Sequence, residues 1–489
     1  MDRELVADAV VIGSGAGGAP AAAALAEAGL DVIVLEAGPR YETRDFNGVE
    51  SEMVGKLLKA SRAGDSGHEL YAGACVGGST VVNDALCWPT PAEVIEQWRR
   101  EYGLASFGDA AYAELVATVL AEIGAAPTDL AHTNKNARAL ERGAQRLGWA
   151  GQPMARNVRD CANLGLCNLG CPTGAKQSSL LTWVPRAERA GARVIASARV
   201  TRIEADSGQV RAVAAETLDP ATGSPNGTLR VETPRVILAA GVLETPALLL
   251  ASGLGANAGM GLQFHSSVYV AARFADPVHA YYGPTMSYAI TEFSDVNGRH
   301  GPGLMLENVA ALPLSTASSL PGFGSALAGP MESLPFLARA VVVLRDRTRG
   351  RLELDGDRRT KIAYPFERGD LDRARTGMIA LARAYLASGA EQVFLPVNDL
   401  APVTTERELA ALESRALSTR DTSLIYAVHL FGGAVMGSDP TVSCCDEAGR
   451  VRGVKGLWVS DASSLPSNTG VNPQVTIMAN ALRVAAGIR

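Results

Sequence analysis

The sequence predicts an α/β protein, α+β over its whole length, in which a parallel, helix-covered sheet is interleaved with a second unit built on a mostly antiparallel sheet with helices. Three observations carry this expectation. A strand, a glycine turn, a helix and a second strand follow one another between Ala9 and Glu36. Short apolar runs recur at Arg235 to Gly241 and Gly456 to Asp461, the pattern of strands buried on both faces. Residues 270 to 420 change to alternating strand segments and one amphipathic helix.

In the first unit, Ala9 to Ile12 leads into Gly13-Ser14-Gly15-Ala16-Gly17-Gly18, an alanine-rich helix follows, and Asp31 to Leu35 ends at Glu36. This is the order of a Rossmann-like dinucleotide site. Gly13 permits the tight turn, Gly15 lets the backbone approach a pyrophosphate, and Gly18 allows close packing of helix on strand. The helix N-terminus then faces the phosphates, and Glu36 is placed to accept from ribose hydroxyls. The motif alone does not choose between NAD and FAD.

Further along, residues 85 to 150 read as mostly helical, and Arg193 to Ala205 and Leu229 to Ala240 read as strands. Arg351 to Gly356 suggests a tight hairpin on Asp355-Gly356. The next helix has apolar positions at Leu371, Ala374, Met378, Leu381 and Tyr385 and ends at Gly389. Segments 1–84, 151–270 and 421–489 are assigned to one discontinuous nucleotide-binding domain, and 85–150 and 271–420 to a substrate-binding or cap domain.

The 489 residues carry 45 basic and 51 acidic side chains, a formal charge of −6, and 47% are hydrophobic. That excludes a polybasic nucleic-acid binder and leaves ample apolar mass for large cores. Asp2, Glu4 and Asp8 near the N-terminus do not resemble an export signal. The most apolar stretch, Val236 to Leu262, is broken by Glu244 and Pro246, so no transmembrane segment and a cytoplasmic location are expected.

Taken together, several motifs resemble the glucose-methanol-choline (GMC) oxidoreductases, flavoproteins that oxidise alcohols. Beside Gly13 to Gly18 and Glu36, the stretch Gly77-Gly78-Ser79-Thr80-Val81-Val82-Asn83 resembles the family's flavin loop. Val200 stands where the family's backbone meets adenine, and Leu238 to Pro246, including Ala240, resembles its second signature. His429 to Gly437 resembles the catalytic-histidine motif, and Asp461-Ala462-Ser463 and Asn472 to Ile477 the C-terminal flavin-contacting signature. Residues 161 to 182 and Tyr281 to Asp370 look closest to long-chain alcohol oxidases and related bacterial dehydrogenases.

The resemblance implies FAD as cofactor and a hydride passing from the alcohol carbon to flavin N5 while a base removes the hydroxyl proton. Histidine suits that base at neutral pH. Of the six histidines, His68, His132, His265, His279, His300 and His429, the motif selects His429; His265 also resembles a family position, read as structural. Asn472 stands where the family places its second histidine or asparagine and would orient the alcohol oxygen, while capping the following helix is its alternative role. Pro473 at the helix start aims the positive helix end at the flavin edge, and Gln474 follows it as a cofactor contact.

The implied substrate is a lipophilic or medium-sized alcohol, with Phe293, Leu304, Met305, Phe323 and Phe336 as apolar contacts. The electron acceptor is oxygen or a redox protein or quinone. Alternatives on the same fold are lyase or light-driven decarboxylase chemistry, a sugar dehydrogenase feeding a partner protein, and a flavin-binding electron-transfer subunit.

Cys161, Cys167 and Cys171-Pro172 form a C-x5-C-x3-C-P run, the ferredoxin spacing with Leu164 in the second slot. It is compatible with a three-iron iron–sulfur cluster, which some FAD-dependent glucose dehydrogenases of the family carry at similar spacing. The alternative, which the sequence favours, is a buried loop whose thiols act as small hydrophobes. Cys75, Cys87, Cys444 and Cys445 are read as structural.

Overall fold

The computed structural model describes residues 3–129, 131, 133–294, 301–357, 359–422 and 425–488. Five parallel strands make the nucleotide sheet, in spatial order Leu457–Val459, Val236–Leu238, Ala9–Ile12, Val32–Leu35 and Arg193–Ile195. The three central ones are buried along their whole length, as strands with both faces covered must be. The Gly18–Glu27 helix packs against this sheet and against the Trp183–Arg189 and Gln474–Ala486 helices.

The two long strand readings each break in two. Ser197 adopts a left-handed φ of 53°, so Arg193–Ile195 stays in the parallel sheet while Ala198–Asp206 leaves it. Thr233-Pro234 separates Pro225–Glu232 from Val236–Leu238 in the same way. The displaced halves join Arg3–Val6 and Gln209–Leu218 in a flanking four-stranded sheet.

The largest sheet has nine strands. Its path runs Leu58–Arg62, Glu69–Gly73, Tyr426–Ala427, Ser267–Arg273, Leu337–Leu344, Leu304–Asn308, Tyr288–Ile290 and Gly151–Pro153, with Gln392–Phe394 also paired to Ser267–Arg273. All pairings are antiparallel except that between Glu69–Gly73 and Tyr426–Ala427. Strand alternation divides its residues between two cores. Leu304, Leu306, Val342 and Leu344 meet the Lys135–Leu147 and Arg368–Ser388 helices. Met305, Val341 and Val343 belong to the core shared with the nucleotide sheet.

The long helix buries Leu371, Ala374, Met378, Leu381 and Tyr385 and ends where Gly389 takes a φ of 100°. The expected tight hairpin is longer: Leu354 pairs with Thr360. The reason is that the Asp355 side chain accepts from the backbone N–H groups of Asp357 and Arg359, building a wider loop from its own carboxylate. Among the described residues no helix is long and apolar enough to cross a membrane.

Candidate active site

The glycine turn is shaped by what surrounds each glycine. A Cβ on Gly13, whose φ is 99°, would stand 2.3 Å from the Ala239 carbonyl oxygen, and one on Gly18 would meet the Gly13 oxygen at 1.9 Å. Gly15 differs: its nearest neighbour would be the Gly78 Cα at 3.7 Å, so its outer side stays open. The Gly18–Glu27 helix begins with no side-chain cap and no acid in its first turn. A helix N-terminus left without a neutralising acid is where a pyrophosphate is favoured.

Glu36 is buried, and its carboxylate accepts from Ser14 N (3.0 Å), Ser14 Oγ (2.7 Å) and Gly38 N (2.8 Å). Burial raises its pKa and these bonds pull it back. Ser14 Oγ in turn accepts from Gly77 N at 3.0 Å, joining the first turn to the second glycine loop. In that loop Ser79 Oγ accepts from Gly73 N at 2.9 Å. Val200 lies on the strand that starts at Ala198, whose N–H donates to the Glu36 carbonyl at 2.8 Å. Thus the first turn, Glu36 and the Gly77-Gly78-Ser79 loop are joined in one cradle, with Val200 on the adjoining strand, and the open Gly15 edge fits an FAD.

The C-terminal segment closes the cradle. Asp461 accepts from Gly241 N (2.7 Å), Thr245 Oγ1 (2.6 Å) and Ser463 N (2.9 Å) and packs on Gly17. Its carboxylate fastens the Ala240–Gly241 turn to the last strand, a bracing role rather than a free cofactor ligand. Gln474 accepts from Asn83 Nδ2 at 2.9 Å and donates to the Leu86 carbonyl at 2.6 Å. Pro473 is the N-cap of the Gln474–Ala486 helix, which has no side-chain cap. Asn472 therefore does not cap it, and its buried Oδ1 has no hydrogen-bond partner among the described residues.

His429 is positioned by strand pairing. Met260–Phe264 runs antiparallel to Leu430–Phe431, and His265 N donates to the His429 carbonyl at 3.0 Å. The rings meet at 86° with 3.2 Å between their Nδ1 atoms, and Gly470 N donates to His265 Nε2 at 3.0 Å. Burial lowers the His429 pKa to about 4, so the ring is neutral at physiological pH. Because Gly470 precedes Asn472 by two residues, the His265 ring joins the histidine motif to the C-terminal signature. His68 is buried elsewhere, between Ser66 Oγ and Ser266 Oγ at 2.8 Å each. His132 and His300 lie outside the described residues.

One acid escaped the sequence reading. Glu307 is fully buried in the Leu304–Asn308 strand, opposite Val341 and Ala289, on the same face as Met305. Its carboxyl faces the Asn472 side chain, whose hydrogen-bonding pull works against the effect of burial, while neither oxygen has a well-formed hydrogen bond among the described residues. Burial pushes its pKa up to about 8, with Asp84 nearby adding repulsion. Asp84 Oδ1 is likewise buried without a partner, and its pKa is raised by burial. The available signal was a lone acid in an otherwise apolar, fully buried strand. Of the proposed apolar contacts, Met305 faces this side, whereas Leu304 faces the helices, Phe293 packs on Trp149, and Phe323 is 89% exposed.

The three clustered cysteines are not brought together as ligands of one centre. Cys167 is buried and its Sγ accepts from Arg156 at 3.1 Å, Cys171 meets Thr173 Oγ1 at 3.4 Å, and Cys161 is half-buried. Among the described residues no group of three or more His, Cys, Asp or Glu side chains is arranged to hold a metal ion. The run lies instead over the glycine loop. Buried Lys176 donates to Val81 O (2.7 Å), Asn83 O (2.8 Å) and the Cys167 carbonyl, and burial lowers its pKa to about 8.

Residues 7–268 and 346–481 match the family models described as GMC oxidoreductase. An uncharacterized GMC-type oxidoreductase of Mycobacterium tuberculosis is 36% identical over 98% of this chain and 75% of its own length. A long-chain-alcohol oxidase of Arabidopsis thaliana is 29% identical over 98% and 67%. The crystal structure of pyridoxine 4-oxidase from M. loti superposes with a TM-score of 0.74 at 19% identity, covering 98% of each chain, a likeness of fold.

Proposed function

The chain belongs to the GMC oxidoreductase family, and from that premise we propose that it oxidises the CH–OH group of an alcohol to an aldehyde or ketone. FAD is its cofactor, and when bound it supplies the two-electron acceptor for the hydride. The cradle from Gly13 to Gly18 with Glu36, Gly77, Gly78 and Ser79 holds the dinucleotide. Asn83, Ala240, Pro473 and Gln474 close it over the flavin, and Asp461 braces the Ala240–Gly241 turn behind them.

The observation that carries the reading is the set of buried polar atoms left short of hydrogen bonds beside this cradle. Asn472 Oδ1 and both Glu307 oxygens are buried and, among the described residues, have no well-formed hydrogen bond beyond their facing one another, a costly arrangement unless a ligand supplies further bonds. An alcohol hydroxyl supplies both a donor and an acceptor. Asn472 orients its oxygen, and such positioning is worth several orders of magnitude in rate. His429 is the proton acceptor in the reading the motif suggests. A second reading gives that task to Glu307, favoured by its carboxyl facing Asn472, and leaves His429 as a hydrogen-bond donor.

The substrate class follows from the relatives: the Arabidopsis protein is a long-chain-alcohol oxidase, and we extend a lipophilic or medium-sized alcohol to this chain. We place the enzyme in the cytoplasm, with oxygen, a redox protein or a quinone as acceptor. The test is anaerobic mixing of the flavoprotein with a panel of primary and secondary alcohols. Bleaching of the flavin by at least one, slowed by about 10² or more in His429→Ala, is the expected result. No bleaching by any alcohol, or an unchanged rate in His429→Ala, overturns the reading. Admitting air to the bleached enzyme separates oxidase from dehydrogenase.

A further inference from the structure

The segment linking the Leu337–Leu344 and Gly350–Leu354 strands reads Arg345-Asp346-Arg347-Thr348-Arg349, an arginine at every second position. It keeps the alternation of a strand. Asp346 and Thr348 are buried, Arg345 is half-buried, and Arg347 and Arg349 are exposed. The nearby acids are spent on the buried side. Asp346 accepts from Ser266 N (3.1 Å), Ser266 Oγ (2.6 Å) and the Tyr364 hydroxyl (2.6 Å). Asp370 accepts from Thr348 Oγ1 (2.6 Å) and from the backbone N–H groups of Arg347 and Thr348, and it pairs with Arg373.

The arginines line a cleft of about 450 Å³ whose other wall is the Ala92–Tyr102 helix. That is the volume of a small-molecule site. Among the described residues its lining carries four guanidinium groups, of Arg100, Arg345, Arg347 and Arg349, against one outward carboxylate, that of Glu101. Glu101 is shared between Arg100 and Gln97, at 2.8 Å from each. Arg345 donates to Gln97 Oε1 at 2.7 Å and to Asn468 Oδ1 at 3.3 Å. Arg349 bonds neutral acceptors, the Tyr102 hydroxyl and the Pro466 carbonyl. The Arg347 side chain makes no hydrogen bond or ion pair among the described residues, although its backbone N–H does.

A concavity lined by one sign of charge concentrates ions of the other. A planar guanidinium matches two oxygens of a phosphate or carboxylate at once, and such charge-assisted bonds are the strong ones. We propose that this cleft is a binding site for a small multivalent oxyanion, a phosphate-bearing or polycarboxylate molecule, held by Arg347 and Arg349, with Arg100 and Arg345 adding charge. The site includes none of the cradle residues and neither Asn472 nor His429, so it is independent of the alcohol reading.

Isothermal titration calorimetry of the FAD-loaded enzyme with inorganic pyrophosphate and, separately, with citrate tests the site; the bound cofactor keeps pyrophosphate out of the nucleotide cradle. At low salt the expected result is one site per chain with a Kd of about 0.1 mM or tighter for at least one of the two, weakening as salt is added. Pyrophosphate alone marks a phosphate-bearing ligand, citrate alone a polycarboxylate, and both together the shared oxyanion chemistry. Arg347→Gln and Arg349→Gln each weaken binding by about tenfold or more at unchanged flavin content. Glu101→Gln tightens it, because the one opposing carboxylate is gone. Arg211→Gln, an exposed arginine of the flanking sheet, leaves it unchanged.

Absence of binding by either anion overturns the proposal. So does binding that Arg347→Gln leaves at wild-type affinity, or that Arg211→Gln weakens as much, the mark of a diffuse charge effect. If Arg349→Gln disturbs the fold through its lost bond to Tyr102, Arg347→Gln alone decides.

Discussion

Asn83 donates its side-chain amide to Gln474 Oε1 across 2.9 Å, joining two residues 391 positions apart. The bond ties the second glycine loop to the first turn of the last helix, and Gln474 extends the link through Leu86 O and Asn157 Oδ1. Both partners of the pair are held from behind, Asn83 by Lys176 on its carbonyl and Gln474 by burial. The second glycine loop and the last helix are thus held by a clasp of side-chain amides rather than by a continuous element.

Gln474→Ala opens that clasp. It leaves the buried Leu86 carbonyl without its donor, a loss of about 1–3 kcal/mol. Thermal unfolding is expected at lower temperature, together with faster loss of FAD on dilution, and wild-type FAD retention would contradict the clasp.

Two glycines of the first turn are expected to fail differently. Gly13→Ala forces a left-handed φ and a clash with the Ala239 carbonyl, a strain of about 1–3 kcal/mol or more from the backbone alone, so the protein itself unfolds earlier. Gly15→Ala meets only ordinary contact with Gly78 and should leave the FAD-free melting temperature unchanged while weakening FAD affinity. Calorimetry with and without FAD separates the two.

Asn472→Ala should cost rate and not stability. A helix-capping asparagine is worth about 0.5–2 kcal/mol, but the helix behind Asn472 has no side-chain cap. An unchanged melting temperature with a bleaching rate lowered by about 10² is expected. A lower melting temperature at an unchanged rate would restore the capping role.

Glu307 makes the protein sensitive to alkali. Its pKa is about 8 in the fold against 4.5 for the ordinary carboxyl, so between those values the unfolded chain binds fewer protons than the folded one. Stability therefore falls as pH rises through this window. Glu307→Gln should raise the melting temperature more at about pH 8.5 than at about pH 5, and an equal effect at both would refute burial of an uncharged Glu307. If the carboxylate takes the hydroxyl proton, bleaching in the wild type accelerates as pH approaches about 8, and Glu307→Gln abolishes that limb.

What the sequence disclosed is whatever a few neighbouring residues decide. The Gly13 to Gly18 turn, the whole-length burial of Ala9–Ile12 and Val236–Leu238, and the helix ending at Gly389 all follow from local sterics and periodicity, and the structure repeats them. Contacts set by strand register were invisible. Nothing in the sequence shows that His265 would lie against His429, because that depends on pairing Phe264 with Leu430. Glu307 was hidden for the same reason, since only the sheet decides which way it faces. The broken strands at Ser197 and Pro234 show the limit of reading apolar runs as single elements, and the Asp355 loop shows a side chain overruling a dipeptide preference.

The order of strands in the parallel sheet also says when the protein can be finished. Val236–Leu238 is flanked by Ala9–Ile12 on one side and Leu457–Val459 on the other, and Asp461 then seals the turn against Gly17. A nascent chain therefore has its nucleotide turn but a sheet one strand short until Leu457–Val459 has been made. Pairing between distant segments is slow and exposes sticky edges meanwhile. Cofactor retention thus waits on that strand, and a chain cut short before Leu457 is expected to be unable to keep its flavin.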